Sequence, residues 1–391
     1  MKITAIDPFY LRMPQITRAA DGTQDTLLVR VRTDDGLEGW GECDASPLVS
    51  LAAYCCPMSH GNIINIRESL LGETVESPDD VRRLHAKATL QGMDIQQIHH
   101  AYSGTDIALW DLLGKKRGVP VYRLLGGETA HPKLPYASVL FGDTPEETRE
   151  LASRLRAQGF RAAKFGWGPL GKHGAEYDEQ LVRAAREGLG EEAEVMVDAG
   201  WAWGHDDETA AARARVFARY RITWLEEPLN GEAIGAYGRL AAREPAVPIA
   251  AGESAGNVRA AEDFLESAGL SFIQIDVGRI GGITPSRTVC EQATRRGVTY
   301  VNHTFKSRLS VAASIHVFAD VEASRYLEYP ASGSHLSENL ARGLDRDADG
   351  LVRAPEKPGL GVEIDEAIVR QYAVPTRIEL AGVTVFEGGA P

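Results

Sequence analysis

Asp198, Glu226 and Glu253 each close a short apolar run, in VMVDAG, TWLEEP and PIAAGES. The steps between them are 28 and 27 residues. That is the length of a strand, a helix and two loops, so the three carboxylates belong at the ends of successive parallel strands. Gathered at one point, three like charges repel unless something positive joins them. A hard divalent cation bound through oxygen is the natural partner. Glu227 stands beside Glu226, and alternation sends strand neighbours to opposite faces. Glu226 is the expected ligand and Glu227 a structural contact.

The elements that must position these residues follow a strand-then-helix rhythm from Leu134 onward. Strands are expected at 134–139, 162–165, 195–198, 223–226, 248–252, 272–276, 299–302 and 325–328. Helical patterns lie between them at 144–157, 177–188, 209–220, 234–244, 257–267 and 283–296, with a further one at 310–319. Eight such strands predict a (β/α)8 barrel of the TIM type. A doubly wound open sheet is the alternative, but no glycine-rich phosphate loop follows an early strand. Before the barrel come antiparallel strands at 2–11, 26–33 and 37–43, the last two joined by an Asp34-Asp35-Gly36 turn. A helix starts at Pro78, and another runs from 103 to 118, stopped by Gly118 and Pro120. The chain therefore divides into an α+β capping domain (1–127), a barrel domain (128–355) and a C-terminal segment (356–391). The strand-like run 376–383 in that last segment is expected to pack back on the capping domain.

Bulk properties bound the partners. The chain has 391 residues, 43% hydrophobic and 25% charged, with a formal net charge of −13. Phosphate binding needs a basic face, so nucleic acid is an unsuitable partner, and anionic membrane surfaces are too. The N-terminal run lacks the apolar block of a signal peptide, and no stretch has the length of a membrane span. Cys43, Cys55, Cys56 and Cys290 form neither a disulfide framework nor a zinc spacing. A reducing cytoplasm is the expected location.

Barrel chemistry sits at the C-terminal ends of strands. Read in order, those positions carry Lys164, Asp198, Glu226, Glu253, Asp276, His303 and Glu328. One carboxylate at a strand end is usually a helix cap or a surface partner. Seven ionisable residues in register point instead to a polar active site. His303 by itself could be a satisfied core histidine. It stands 27 residues after Asp276, one strand-and-helix step further along the chain.

The series Lys164, V-D-A at Asp198, E-E-P at Glu226, G-E-S at Glu253, D-x-x-R-I-G-G-I-T at Asp276 and N-H at His303 resembles the enolase superfamily, in its mandelate racemase branch. GWGEC at 39–43, DIALWD at 106–111, VYRLLGG at 121–127 and PGLG at 358–361 extend the resemblance over nearly the whole chain. The resemblance implies one Mg²⁺ held by Asp198, Glu226 and Glu253. It implies His303 as general base oriented by Asp276, Lys164 as an electrostatic helper, and Glu328 bonded to a substrate carboxylate. It implies capping-domain loops that close over the mouth, a small-molecule carboxylate substrate, and a homo-oligomer, dimer or octamer. The shared reaction removes a weakly acidic proton alpha to a carboxylate, so charge must be stabilised as it forms.

One departure directs the choice of reaction. Many members of the branch carry K-x-K on the second strand, the second lysine serving as a base. Here that position is Gly166. Some sugar-acid dehydratases of the branch also lack this lysine. One-sided chemistry, the dehydration of an aldonate or aldarate with His303 as base and acid, is the leading expectation. A racemase, epimerase or lactone cycloisomerase is the alternative, with Lys164 reaching into the space beside Gly166 as an opposing base. Trp201, Trp203, His205 and His173 could contact a polyol or could be ordinary loop packing. Arg18 and Arg12 could meet a distal acid or be solvated. Specificity is expected in loops near Arg18 and Tyr54.

Overall fold

Alternating apolar positions set the first sheet. Strands β1 (Ile3–Arg12), β2 (Asp25–Thr33) and β3 (Glu38–Cys43) pair antiparallel in that order. Helices α1 (Pro47–Cys55), α2 (Pro78–Gln91) and α3 (Ile98–Arg117) follow. The computed structural model describes residues 1–18, 21–44, 46–243 and 245–389. Helix α2 opens on a capping box, in which Ser77 and Asp80 satisfy each other's backbone N–H groups. Helix α3 starts five residues before the expected 103, because Ile98 and Ala101 extend its buried face. It lies directly on β3. A Cβ on Gly41 would fall 2.0 Å from the Gly104 carbonyl oxygen, so the GWGEC glycines permit a contact no larger residue could make.

Eight parallel strands form the second sheet: β4 (Leu134–Leu140), β5 (Ala162–Gly166), β6 (Glu194–Asp198), β7 (Ile222–Glu226), β8 (Ile249–Ala251), β9 (Phe272–Asp276), β10 (Thr299–His303) and β11 (Tyr326–Pro330). Neighbours pair in sequence order from β4 to β10, and β11 pairs with β4. Strands β10 and β11, at the two ends of that order, are bridged through side chains, Asn302 foremost. The Glu328 N–H donates to Asn302 Oδ1 at 2.9 Å, and Asn302 Nδ2 donates to the Glu328 carbonyl at 3.3 Å. Helices flank the strands, and Thr144, Asp206, Asn257 and Ser307 cap four of them. This is the expected (β/α)8 architecture. The expected end of the 234–244 helix falls on Glu244, outside the described residues.

Three further differences bear on the site or the tail, and two of them move a functional side chain. Strand β8 stops at Ala251, because Gly252 takes φ +124 in close contact with Ile273 and Gln274. Glu253 therefore stands on a loop, two residues past the strand. Strand β11 runs on to Pro330, so Glu328 lies in mid-strand and not at its end. The single strand expected at 376–383 is instead a hairpin, Thr376–Leu380 with Val383–Gly388, turning at Ala381-Gly382 where both residues have positive φ. Its run-in touches β1, where the Val374 N–H donates to the Tyr10 carbonyl at 2.8 Å.

The barrel interior is layered. Tyr136, Ala162, Met196, Trp224, Ala250, Val301 and Tyr326 plug it with apolar surface. Polar residues sit above the plug and open toward the capping domain. Polar bonds join the two parts: Glu42 accepts from Ser307 and Ser310, and Asp106 accepts twice from Thr284. Among the described residues, no helix is long and apolar enough to cross a membrane.

Candidate active site

A cavity of about 250 Å³ lies at the barrel mouth, walled by Ser138, Lys164, Gly166, Asp198, Glu253, Arg279, His303 and Lys306, with Gly22 and Asp44 closing it from the capping domain. Asp198 and Glu226 end adjacent strands in register, and Glu253 reaches in from its loop. The three offer carboxylate oxygens within 4.8 Å of one another. Lys164 stands against them, its Nζ 2.5 Å from Glu226 Oε1, 2.7 Å from Glu328 Oε1 and 3.5 Å from Asp198 Oδ2. Glu226 also accepts from Trp224 Nε1 at 2.9 Å and Gln274 Nε2 at 2.7 Å. Both donors lie two residues before a strand-end carboxylate, on the same inward face.

Charge at this point is only partly balanced by the protein. Burial, then the neighbouring Glu226, hold Asp198 well above the usual carboxylate range. Burial raises Glu226 too, with Lys164 partly offsetting it. Lys164 and, at Glu253, Arg279 offset part of the negative charge of the three carboxylates, and the donors are all hard oxygens. The residues present therefore fit a divalent cation such as Mg²⁺.

His303 faces the same space. Its Nδ1 lies 2.7 Å from Asp276 Oδ2, and its Nε2 is 3.2 Å from Glu253 Oε2. Asp276 is itself fixed by the Gly278 N–H, which donates to Oδ1 at 2.6 Å. Burial would lower the imidazole pKa, but Glu253, Glu328 and the Asp276 bond outweigh it and bring it to about 10. A cation on Glu253 would cancel the largest of those raising charges. Arg279, from the D-x-x-R motif, reaches Glu253 Oε1 at 3.0 Å and pairs with Asp44.

The other expected residues take definite places in the structure. Burial opposes the Lys164 charge, but Glu226, Glu328 and Asp198 hold its ammonium well above the ordinary lysine range. Gly166 borders the cavity, and a Cβ on it would lie 2.9 Å from Asp198 Cβ, so the glycine accommodates that carboxylate. Glu328 is fully buried beneath the cavity. Its oxygens meet Lys164 and, at 2.6 Å, the Thr304 N–H, which makes it an anchor for Lys164. Glu227 lies just past β7 at φ +36 and accepts from Trp201 Nε1 at 2.5 Å. Trp201 is thereby committed to Glu227 and lies outside the cavity wall, as do His205 and Arg18, both exposed. Trp203 packs on Phe217 and His173 on Tyr177, and Arg12 is exposed away from the wall. Tyr54 is a core residue of α1, its hydroxyl donating to the Ala101 carbonyl.

The sequence reading missed Asp44, Ser138, Trp167, Phe305 and Lys306 on the wall, and gave Arg279 no role. Alternation could have found Trp224 and Gln274. The meeting of Asp44 and Lys306 across two domains leaves no local signal.

Fold and cluster together define a capped (β/α)8 barrel with a carboxylate-lined mouth and an Asp–His pair. The chain belongs to the mandelate racemase / muconate lactonizing enzyme family of the enolase superfamily: residues 3–126 match that family's N-terminal domain and residues 147–368 match the enolase C-terminal domain-like family. A solved structure from Rhodobacter sphaeroides, described as a predicted mandelate racemase, superposes with a TM-score of 0.95 at 46% identity, covering 100% of this chain and 99% of that one. A D-galactonate dehydratase of Ralstonia nicotianae is 31% identical over 88% of this chain and 90% of its own length. A D-galactarolactone cycloisomerase of Agrobacterium fabrum is 28% identical over 96% of this chain and 100% of its own.

Proposed function

We propose that the protein dehydrates a sugar acid, an aldonate or aldarate, to a 2-keto-3-deoxy acid. The supporting observation is that the cavity has one group suited to move a carbon-bound proton. His303 and Asp276 stand on the β9–β10 side. Across from them are Gly166 and a lysine held as ammonium. His303 Nε2 takes the proton from the carbon next to the carboxylate. The electron pair left behind forms a carbon–carbon double bond as the hydroxyl on the next carbon leaves. His303 returns the proton to that hydroxyl, releasing water, and the enol product tautomerises to the keto acid. Asp276 holds the imidazole in the tautomer that leaves Nε2 open. Lys164, fixed by Glu328, adds positive charge beneath the reacting carboxylate. Asp198, Glu226 and Glu253 would hold Mg²⁺, which when bound supplies charge against the carboxylate as the proton leaves. The capping domain, residues 1–127, would exclude water through Gly22 and Asp44. The family resemblance further supports a dimer or octamer and a cytoplasmic location, testable by sizing and fractionation.

A second reading uses the same proton abstraction for isomerisation, and its support is the likeness to the Agrobacterium cycloisomerase. A library of aldonic and aldaric acids, incubated with protein and Mg²⁺ in deuterated water, separates the two. Keto-acid release that disappears in His303→Asn supports the dehydratase. Deuterium at the alpha carbon without loss of water overturns it in favour of an isomerase.

A further inference from the structure

We propose that Lys306 is a positioning residue: its ammonium fixes the capping-domain turn Gly22–Asp25 against the cavity and so sets how tightly the substrate is enclosed. The inference rests on the cavity being where the proposed reaction occurs. Lys306 lies three residues past His303, in the link to the helix Arg308–Val317. It is 7% exposed and forms part of the cavity wall. Its Nζ donates to the Gly22 carbonyl at 2.6 Å and to the Asp25 carbonyl at 2.9 Å. The carboxylate beside it, Asp25 Oδ1, is 3.7 Å away, beyond hydrogen-bond reach.

The other two cations of the wall are held differently. Lys164 and Arg279 each sit against carboxylates at hydrogen-bond distance. A charge buried as deeply as Lys306 must be compensated. Here the near compensation comes from two carbonyl dipoles of a single turn, so the ammonium and the turn fix each other's position. The turn also packs on the segment that carries Lys306: a Cβ on Gly22 would lie 3.3 Å from the Phe305 carbonyl oxygen. Outside it, Ser334 Oγ donates to the Thr23 carbonyl at 2.6 Å, and the Ser334 N–H donates to Thr23 Oγ1 at 2.8 Å. Gly22 is itself a wall residue. Removing the ammonium therefore frees one wall of the cavity. Among the described residues, the hydrogen bonds of Nζ go to the capping domain and none to the Asp276–His303 pair or the carboxylate trio.

The test uses the full-length protein as wild type, Lys306→Met and Lys306→Arg. Amide hydrogen exchange is followed over peptides spanning residues 21–27, and steady-state kinetics use the acid that the library screen identifies. Expected are faster exchange at the turn in K306M, largely restored in K306R, and a KM raised about tenfold or more with kcat within about threefold. Unchanged exchange in K306M overturns the proposal, and so does a fall in kcat with KM unmoved. If K306M does not fold, Lys306→Gln is judged by the same exchange criterion. If no acid is turned over, the proposed reaction fails while the exchange measurement still decides the role of Lys306.

Discussion

Replacing Lys164 by methionine keeps most of its volume and removes the ammonium that touches Glu226 and Glu328. Breaking a buried ion pair from one side costs about 3–5 kcal/mol, because the partner charge stays buried. The cost should depend on conditions in a specific way. Asp198 and Glu226 already titrate above the usual carboxylate range in the folded chain. A carboxylate with a raised folded pKa binds its proton more tightly folded than unfolded. Stability therefore rises as pH falls through that raised range and is lost as pH climbs. Without Lys164 the carboxylates rise further, so the loss should be greatest at pH 8 in chelator and smaller at pH 5.5. Mg²⁺ acts in the same direction as protons. A cation at 100 times its dissociation constant adds about 2.7 kcal/mol to the protein that binds it, and it narrows the deficit to the extent that loss of the ammonium tightens its binding. Urea unfolding of wild type and Lys164→Met, at both pH values with and without Mg²⁺, provides the measurement. An equal loss in all four conditions would refute the reasoning, since it would mean that Lys164 contributes packing and not charge.

Two further outcomes are expected. The His303 imidazole, followed by NMR in metal-free protein, should titrate near 10, far above 6.5, and move down when Mg²⁺ is added; a metal-free midpoint near 6.5 would contradict the electrostatics of the site. As a raised histidine it adds stability that is complete below about 6.5 and is lost as pH rises toward 10. Asn302→Ala should leave the Glu328 N–H and carbonyl without their partners, at about 1–3 kcal/mol for each group. Amide exchange over Tyr326–Pro330 should then accelerate ahead of the other barrel strands, and uniform exchange would exclude a special bridge there.

The barrel was legible because its signals are local and repeated. Asp198, Glu226, Asp276 and His303 each close a short, mostly apolar strand, and the helices between carry their own caps, such as Thr144 and Asn257. Glu253 and Glu328 show where that logic stops. One stands past its strand because Gly252 bends the chain, and the other is sunk below the cavity because β11 continues through Pro330. Neither backbone path is written in hydrophobic period. The aromatic and basic residues weighed as substrate contacts carry no such local signal. Sequence left Trp201 between polyol contact and loop packing, and its indole bonds Glu227, a partner 26 residues away. Lys306 and Asp44 became site residues only through docking of one domain on another, which no spacing along the chain reports.

Asn302 gives the cylinder an unusual fastening. Seven of its seams are joined by backbone, which substitutions other than proline leave in place. The eighth is closed through side chains, with the Asn302 amide at its centre, between the stave that bears His303 and the stave that bears Glu328. Sequence change can therefore loosen the wall at one defined place, next to the base and to the support of Lys164, while the rest of the wall keeps its shape.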